Sequence, residues 1–142
     1  MRARKLKHRD ERLLACDNII TDEFSSDPPS LVPAELFPDY SKFRLEIGCG
    51  KGGFVRGEAI SHPDTAYIAV ELITDVIVQA AERTPKEEYK NVVFLNTNAS
   101  RLDRIFPAGS FERIHINFCD PWPKKRNAKR RLTCRTFLSL FR

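Results

Sequence analysis

No apolar run in this 142-residue chain approaches the ~20 residues that a membrane-spanning helix needs. The basic opening Met1-Arg2-Ala3-Arg4-Lys5 has no apolar stretch behind it, so no signal peptide is expected. Cysteine is sparse. Cys16, Cys49, Cys119 and Cys134 lie far apart and none forms a C-x-x-C pair, which argues against a metal site or a redox motif. Reduced thiols in the cytoplasm are the simple expectation. His8, His62 and His115 do not cluster; His62 reads as a helix end before Pro63 and His115 as a strand side chain, not as ligands. There is no internal repeat and no low-complexity tract. Acidic residues are missing altogether from residues 124–135.

That last absence organises the charge. Lys124, Lys125, Arg126, Lys129, Arg130, Arg131 and Arg135 give residues 124–135 a net +7. Residues 1–12 carry six basic residues against Asp10 and Glu11, a net +4. The whole chain is only +5, so the remainder is −6: an acidic body with two basic stripes. Separation of this kind points to a polyanion, with nucleic acid ahead of membrane. Two solvated charge runs, or an N-terminal stripe that is simply disordered, would give the same composition.

Residues 25–41 hold four prolines and no long periodic pattern, as expected of a strap or linker after the basic arm. We therefore divide the chain into an arm and strap, 1–41, and a domain, 42–142. A short helix is expected near Glu11–Asn18. From residue 43 the rhythm is regular. Strands are expected at 43–48, 66–72, 91–96 and 111–118, and helices at 52–62, 74–84 and 132–141. Thr74 is placed to cap the second of these helices and Pro85 to end it. Alternation of this kind predicts a parallel sheet with helices on both faces, and ligands at the carboxyl ends of its strands.

Chemistry does gather at the predicted strand ends. The first ends in Glu46-Ile47-Gly48-Cys49-Gly50-Lys51-Gly52-Gly53. Gly48, Gly50 and Gly52 let the backbone turn and approach a ligand, although a purely structural tight turn reads the same way. Glu46 disfavours a pyrophosphate and favours a cation such as an ammonium group. The second strand ends in Glu71, about 20 residues on, where an acid commonly accepts from ribose hydroxyls. A nucleoside with a cationic tail, such as S-adenosylmethionine, fits this pair better than a dinucleotide does. The third strand ends in Asn96-Thr97-Asn98-Ala99, where an Asn can meet an adenine edge, but Asn is also a turn former. The fourth strand runs into Asn117-Phe118-Cys119-Asp120-Pro121-Trp122-Pro123 and then the basic stripe. Asp120 would stand at the reactive end of the ligand. Trp122 serves a stacked base or the core, and the cations serve phosphates.

The segments RLEIGCGKGGF at 44–54, YIAVEL at 67–72 and NFCDPWPKKRNAKRRL at 117–132 resemble the tRNA (guanine-N7-)-methyltransferase family, bacterial single-chain type. MRARK at the start and ACDN at 15–18 resemble that family's opening. The resemblance implies a Rossmann-like, S-adenosylmethionine-dependent methyltransferase fold with its C-terminal strands missing. It implies that Glu46, Glu71, Asn98 and Asp120 contact the cofactor and that Asp120 is catalytic. It further implies that Lys124 touches tRNA, and that residues 126–131, with Arg126, Lys129, Arg130 and Arg131, bind RNA. Two positions depart from the family pattern: Cys119 where Ser is expected, and Asn98 where an acid is common. With no further strand, the fourth strand is expected to be an exposed sheet edge. Two other readings remain open: a methyltransferase for another base nitrogen, and a non-catalytic RNA-binding module.

Overall fold

The computed structural model describes residues 5–22 and 27–117. The expected helix at 132–141, and the candidates Asp120, Lys124, Arg126, Lys129, Arg130 and Arg131, lie outside the described residues. In chain order the elements are α1 (Arg9–Ala15), β1 (Ile19–Thr21), α2 (Pro33–Leu36), β2 (Lys42–Ile47), α3 (Gly53–Ser61), β3 (Thr65–Glu71), α4 (Thr74–Glu82) and β4 (Val92–Asn96). A 3-10 turn (Ala99–Arg101), α5 (Leu102–Ile105) and β5 (Arg113–Ile116) follow. The five strands form one parallel sheet in the order β1-β4-β3-β2-β5.

This order follows from the winding. The chain steps from β2 to β3 to β4 in one direction, then returns to the other side of β2 to place β5. The winding therefore reverses at β2 and β5, and the crevice of such sheets opens at that reversal. Every residue from Thr65 to Val70 of the central strand β3 is buried. That is why its sequence reads as a continuous apolar run and not as an alternating one.

Alternate strand residues feed two cores. Tyr67, Ala69 and Phe94 pack with Val55 and Ala59 of α3 and with Ile77, Ala80 and Ala81 of α4. Leu45, Ile47, Ile68, Val70 and Leu95 point to the other face, against Phe37, Leu102, Ile105, Phe106 and Phe111. Phe106 and Phe111 meet edge to face, with ring centroids 5.0 Å apart. The proline-rich strap is thus part of the fold. Phe37 is buried, Leu31, Leu36 and Tyr40 pack around it, and the Leu31 N–H donates to the Ile105 carbonyl at 2.8 Å.

The expected strands and helices between 42 and 117 are present, with ends moved by at most two residues. Thr74 does not cap α4: the cap position is Ile73, without a side-chain bond, and the Thr74 hydroxyl donates to Asn96 Oδ1 at 3.0 Å instead. Four short elements escape a periodicity reading: β1, α2, the 3-10 turn and α5. They are three or four residues each, too short to show a period. Ahead of β1, α1 docks on α4, with the Arg12 guanidinium on the Glu82 carboxylate at 2.6 Å and the Leu6 N–H on Asp75 Oδ1 at 3.3 Å.

Candidate functional site

The loop after β2 is held by its neighbours. The Gly48 and Cys49 N–H groups both donate to the Val70 carbonyl, at 2.9 and 3.0 Å. Gly48 has φ +78°, and a Cβ there would fall 2.5 Å from the Asn117 carbonyl oxygen, so the ends of β2 and β5 approach too closely for any side chain. Gly50 has φ +55°, and a Cβ there would meet nothing within 4 Å. The open space over Gly50 leaves room for a ligand laid across the loop.

Glu46 ends the polar side of β2. It is 1% exposed. Its register partners are Ala69 on β3 and His115 on β5, on the face covered by α3 and α4. Oε1 accepts from the Asn117 carboxamide at 3.0 Å. Oε2 is buried and has no hydrogen-bond partner among the described residues. Burial raises the Glu46 carboxyl above its ordinary range, the Asn117 bond opposes this, and the charges of Glu71 and Glu58 add to the rise. A buried carboxylate in this state lacks a cation or a donor. Nε2 of His115 is likewise buried and unpartnered among the described residues, and its ring meets Phe54 edge to face at 5.0 Å. Burial holds His115 below the usual imidazole range, so it is neutral at pH 7 and brings no charge to Glu46.

Glu71 closes the glycine loop. Its Oε2 accepts from the Gly50 N–H at 3.0 Å and its Oε1 from the Ile73 N–H at 3.3 Å. An ionised carboxylate offers about four acceptor sites, so half its capacity remains for hydroxyl donors. Asn96, the register partner of Glu71, fixes the turn behind it. Its Nδ2 donates to the Glu71 and Leu72 carbonyls at 3.0 and 3.2 Å. Asn98 is exposed two residues beyond, and its Oδ1 caps the 3-10 turn by accepting from the Ser100 N–H at 2.9 Å.

The fold thus brings Glu46, Gly48, Gly50, Glu71 and Asn98 to the carboxyl ends of three adjacent strands. Gly50 and Glu71 are in direct contact. Two acids with no ion-paired base among the described residues make a place suited to a cationic ligand with hydroxyl donors and unsuited to a pyrophosphate. Sequence reasoning missed Asn117, which donates to Glu46, and the part that Asn96 plays in fixing the Glu71 turn. Their signal was position alone, each being an Asn at the last residue of a strand or just beyond it.

The profile of a family described as "Putative methyltransferase" matches residues 41–142. The chain belongs to that family. Among curated relatives, a tRNA (guanine-N(7)-)-methyltransferase of Brevibacillus brevis is 44% identical over 108 residues, 76% of this chain and 50% of the relative. The protein of the same name from Geobacillus thermodenitrificans is 47% identical over 107 residues, 75% of this chain and 50% of the relative. This methyltransferase-family chain spans about half the length of the curated relatives it matches. The antibiotic-resistance methyltransferase Kmr shares its fold, with a TM-score of 0.59 and 18% identity over 85% of this chain and 65% of that one.

Proposed function

We propose that this chain carries the cofactor half of a methyltransferase that modifies N7 of a guanosine in tRNA, with S-adenosylmethionine as donor. The single observation that carries the reading is the buried, half-satisfied carboxylate of Glu46 beside the open backbone of Gly50 and the acceptor Glu71. Glu46 would hold the cationic amino-acid tail, Glu71 the ribose hydroxyls and Asn98 the adenine edge, with Gly48 and Gly50 beneath the ligand. The names of relatives that are 44% and 47% identical support the choice of tRNA and of N7.

When bound, S-adenosylmethionine supplies an electrophilic methyl that passes to the N7 lone pair while the carbon–sulfur electron pair stays on sulfur. Guanine N7 carries no proton, so no base is needed to begin. The work of the chain is positioning and electrostatics. We assign Asp120 to accept from the guanine edge and to offset the charge that develops on the ring. Lys124, Arg126, Lys129, Arg130 and Arg131 hold tRNA phosphates, which makes affinity fall with salt. Such an enzyme works in the cytoplasm, among reduced thiols and its tRNA substrate.

Calorimetric titration of the 142-residue chain with S-adenosylmethionine and S-adenosylhomocysteine tests the cofactor half. Saturable one-to-one binding of both is expected; a folded chain that binds neither overturns the reading. In a chain of the relatives' full length, labelled methyl is expected to appear on tRNA as N7-methylguanosine. Label on another base nitrogen would support the alternative enzyme, and no label at all the non-catalytic RNA-binding module.

A further inference from the structure

We propose that Asp22 is a positioning residue for adenine recognition, acting through the turn that carries Asn98; the proposal rests on the cofactor reading above. Asp22 follows β1, the strand that residues 19–21 add to the sheet edge beside β4. It is 1% exposed, and its own N–H donates to the Asn96 carbonyl at 3.2 Å. Its Oδ2 accepts from the Thr97 hydroxyl at 2.7 Å and from Arg101 Nε at 2.6 Å, and its Oδ1 from Arg101 Nη2 at 3.2 Å.

These two partners are the residues that bracket Asn98-Ala99-Ser100. Thr97 is fully buried, and the Arg101 side chain is 12% exposed. Between them the Arg101 N–H donates to the Asn98 carbonyl at 3.0 Å, and the Ser100 N–H to Asn98 Oδ1 at 2.9 Å. A two-pronged guanidinium–carboxylate contact is stiff, and here it spans the turn from end to end. Asn98 and Ser100 are the exposed residues of this turn; Asp22, from a different part of the sequence, holds both of its buried or half-buried ends. The oxygen of Asn98 is committed to Ser100, so its amide is presented as a donor. Adenine offers a ring acceptor at N1, whereas hypoxanthine carries a proton at that nitrogen. A fixed amide donor therefore selects adenine, and a loosened one does not.

The test measures S-adenosylhomocysteine and S-inosylhomocysteine binding to the 142-residue chain, together with its thermal midpoint. The wild type is expected to prefer the adenosyl ligand by about tenfold, the value of one well-made polar contact. Asp22→Asn keeps the volume and an acceptor but loses the charge. Thr97→Val loses the hydroxyl, and Thr97→Ser restores it. Asp22→Asn and Thr97→Val are expected to erase most of the preference by weakening the adenosyl ligand alone; Thr97→Ser retains it. In an Asn98→Ala background, Asp22→Asn is expected to change neither ligand further. Equal weakening of both ligands, in step with a lower midpoint, would show a merely structural Asp22 and overturn the proposal. A wild type that binds neither ligand would instead refute the cofactor reading, and this proposal with it.

Discussion

The Asn117 carboxamide, just beyond the end of β5, donates to Glu46 Oε1 on β2 at 3.0 Å, while Oε2 of the same carboxylate is buried without a partner among the described residues. One residue thus ties together the two strands between which the winding reverses, and satisfies only one oxygen of the buried acid. The free chain carries the electrostatic cost of that buried acid, which a bound cation would offset on the proposed reading.

Glu46→Gln should therefore stabilise the free chain while weakening the cofactor. A neutral amide removes the buried charge, and about 1 kcal/mol of stabilisation at pH 7 is expected. Affinity for S-adenosylmethionine should fall at least tenfold, because the ammonium group loses its counter-charge. The sign with pH is fixed by the raised carboxyl of the folded state. Wild-type stability falls as pH rises from the ordinary carboxylate range through the raised folded value, whereas Glu46→Gln lacks this loss. The two chains should converge at acidic pH and separate above it. Denaturant titrations across pH check this, and a variant less stable than wild type at pH 7 would contradict it.

Glu71→Gln should act on binding with little effect on folding. The side chain is half-buried and accepts two backbone N–H groups, at 3.0 and 3.3 Å, and the Gln carbonyl can keep one of them. What the variant loses is charged acceptor capacity for two hydroxyls, about 1.5–3 kcal/mol. S-adenosylhomocysteine affinity is expected to drop by roughly ten- to a hundredfold with the unfolding midpoint nearly unchanged. A 2′,3′-dideoxy analogue should then bind wild type and variant alike.

The central strands were legible because burial on both faces forces long apolar runs bounded by glycine and proline. Glu46, Gly48, Gly50 and Glu71 were legible because a parallel sheet puts strand ends on one edge, so spacing along the chain converts to proximity. Asp22 was not. Its partners Thr97 and Arg101 are over seventy residues away, and β1 is three residues long, too short to declare a period. The strap read as a linker because four prolines hide the fact that Phe37 joins the core and Leu31 packs against it. Thr74 misled for a different reason. A hydroxyl at a helix start usually accepts from a backbone N–H as a cap, but Thr74 stands one residue inside the helix and its hydroxyl donates to Asn96 Oδ1.

Two glycines should respond in opposite ways to alanine. At Gly48 the added Cβ meets backbone, the Asn117 oxygen at 2.5 Å, and φ is +78°. Neither the carbonyl nor the dihedral can yield without parting β2 from β5, so a loss of about 1–3 kcal/mol is expected. Gly57 lies mid-helix in α3, is exposed, and has open space around it. Gly57→Ala should stabilise by about 0.5–1 kcal/mol through helix propensity alone. Equilibrium denaturation of the pair checks both signs in one experiment.

Asn91 joins α3 to β3 through a single amide, and its removal should be felt where no ligand binds. Its Nδ2 donates to the Ala59 carbonyl at 3.1 Å and to the Thr65 carbonyl at 2.9 Å. The residue is 6% exposed, so water does not readily replace those bonds. Asn91→Ala leaves buried carbonyls unsatisfied and opens a small cavity; a loss of about 2–3 kcal/mol is expected. Asn91→Asp should be as harmful at pH 7, since a carboxylate facing two carbonyls repels both. It should recover partly at low pH, when a protonated acid can donate to one of them. The site lies at the amino end of β3, away from Glu71 at the carboxyl end, so cofactor affinity per folded molecule should be unchanged in both variants. Calorimetric affinity measured well below the unfolding midpoint separates the two effects, and a changed affinity there would mean that α3 transmits its seating to the glycine loop.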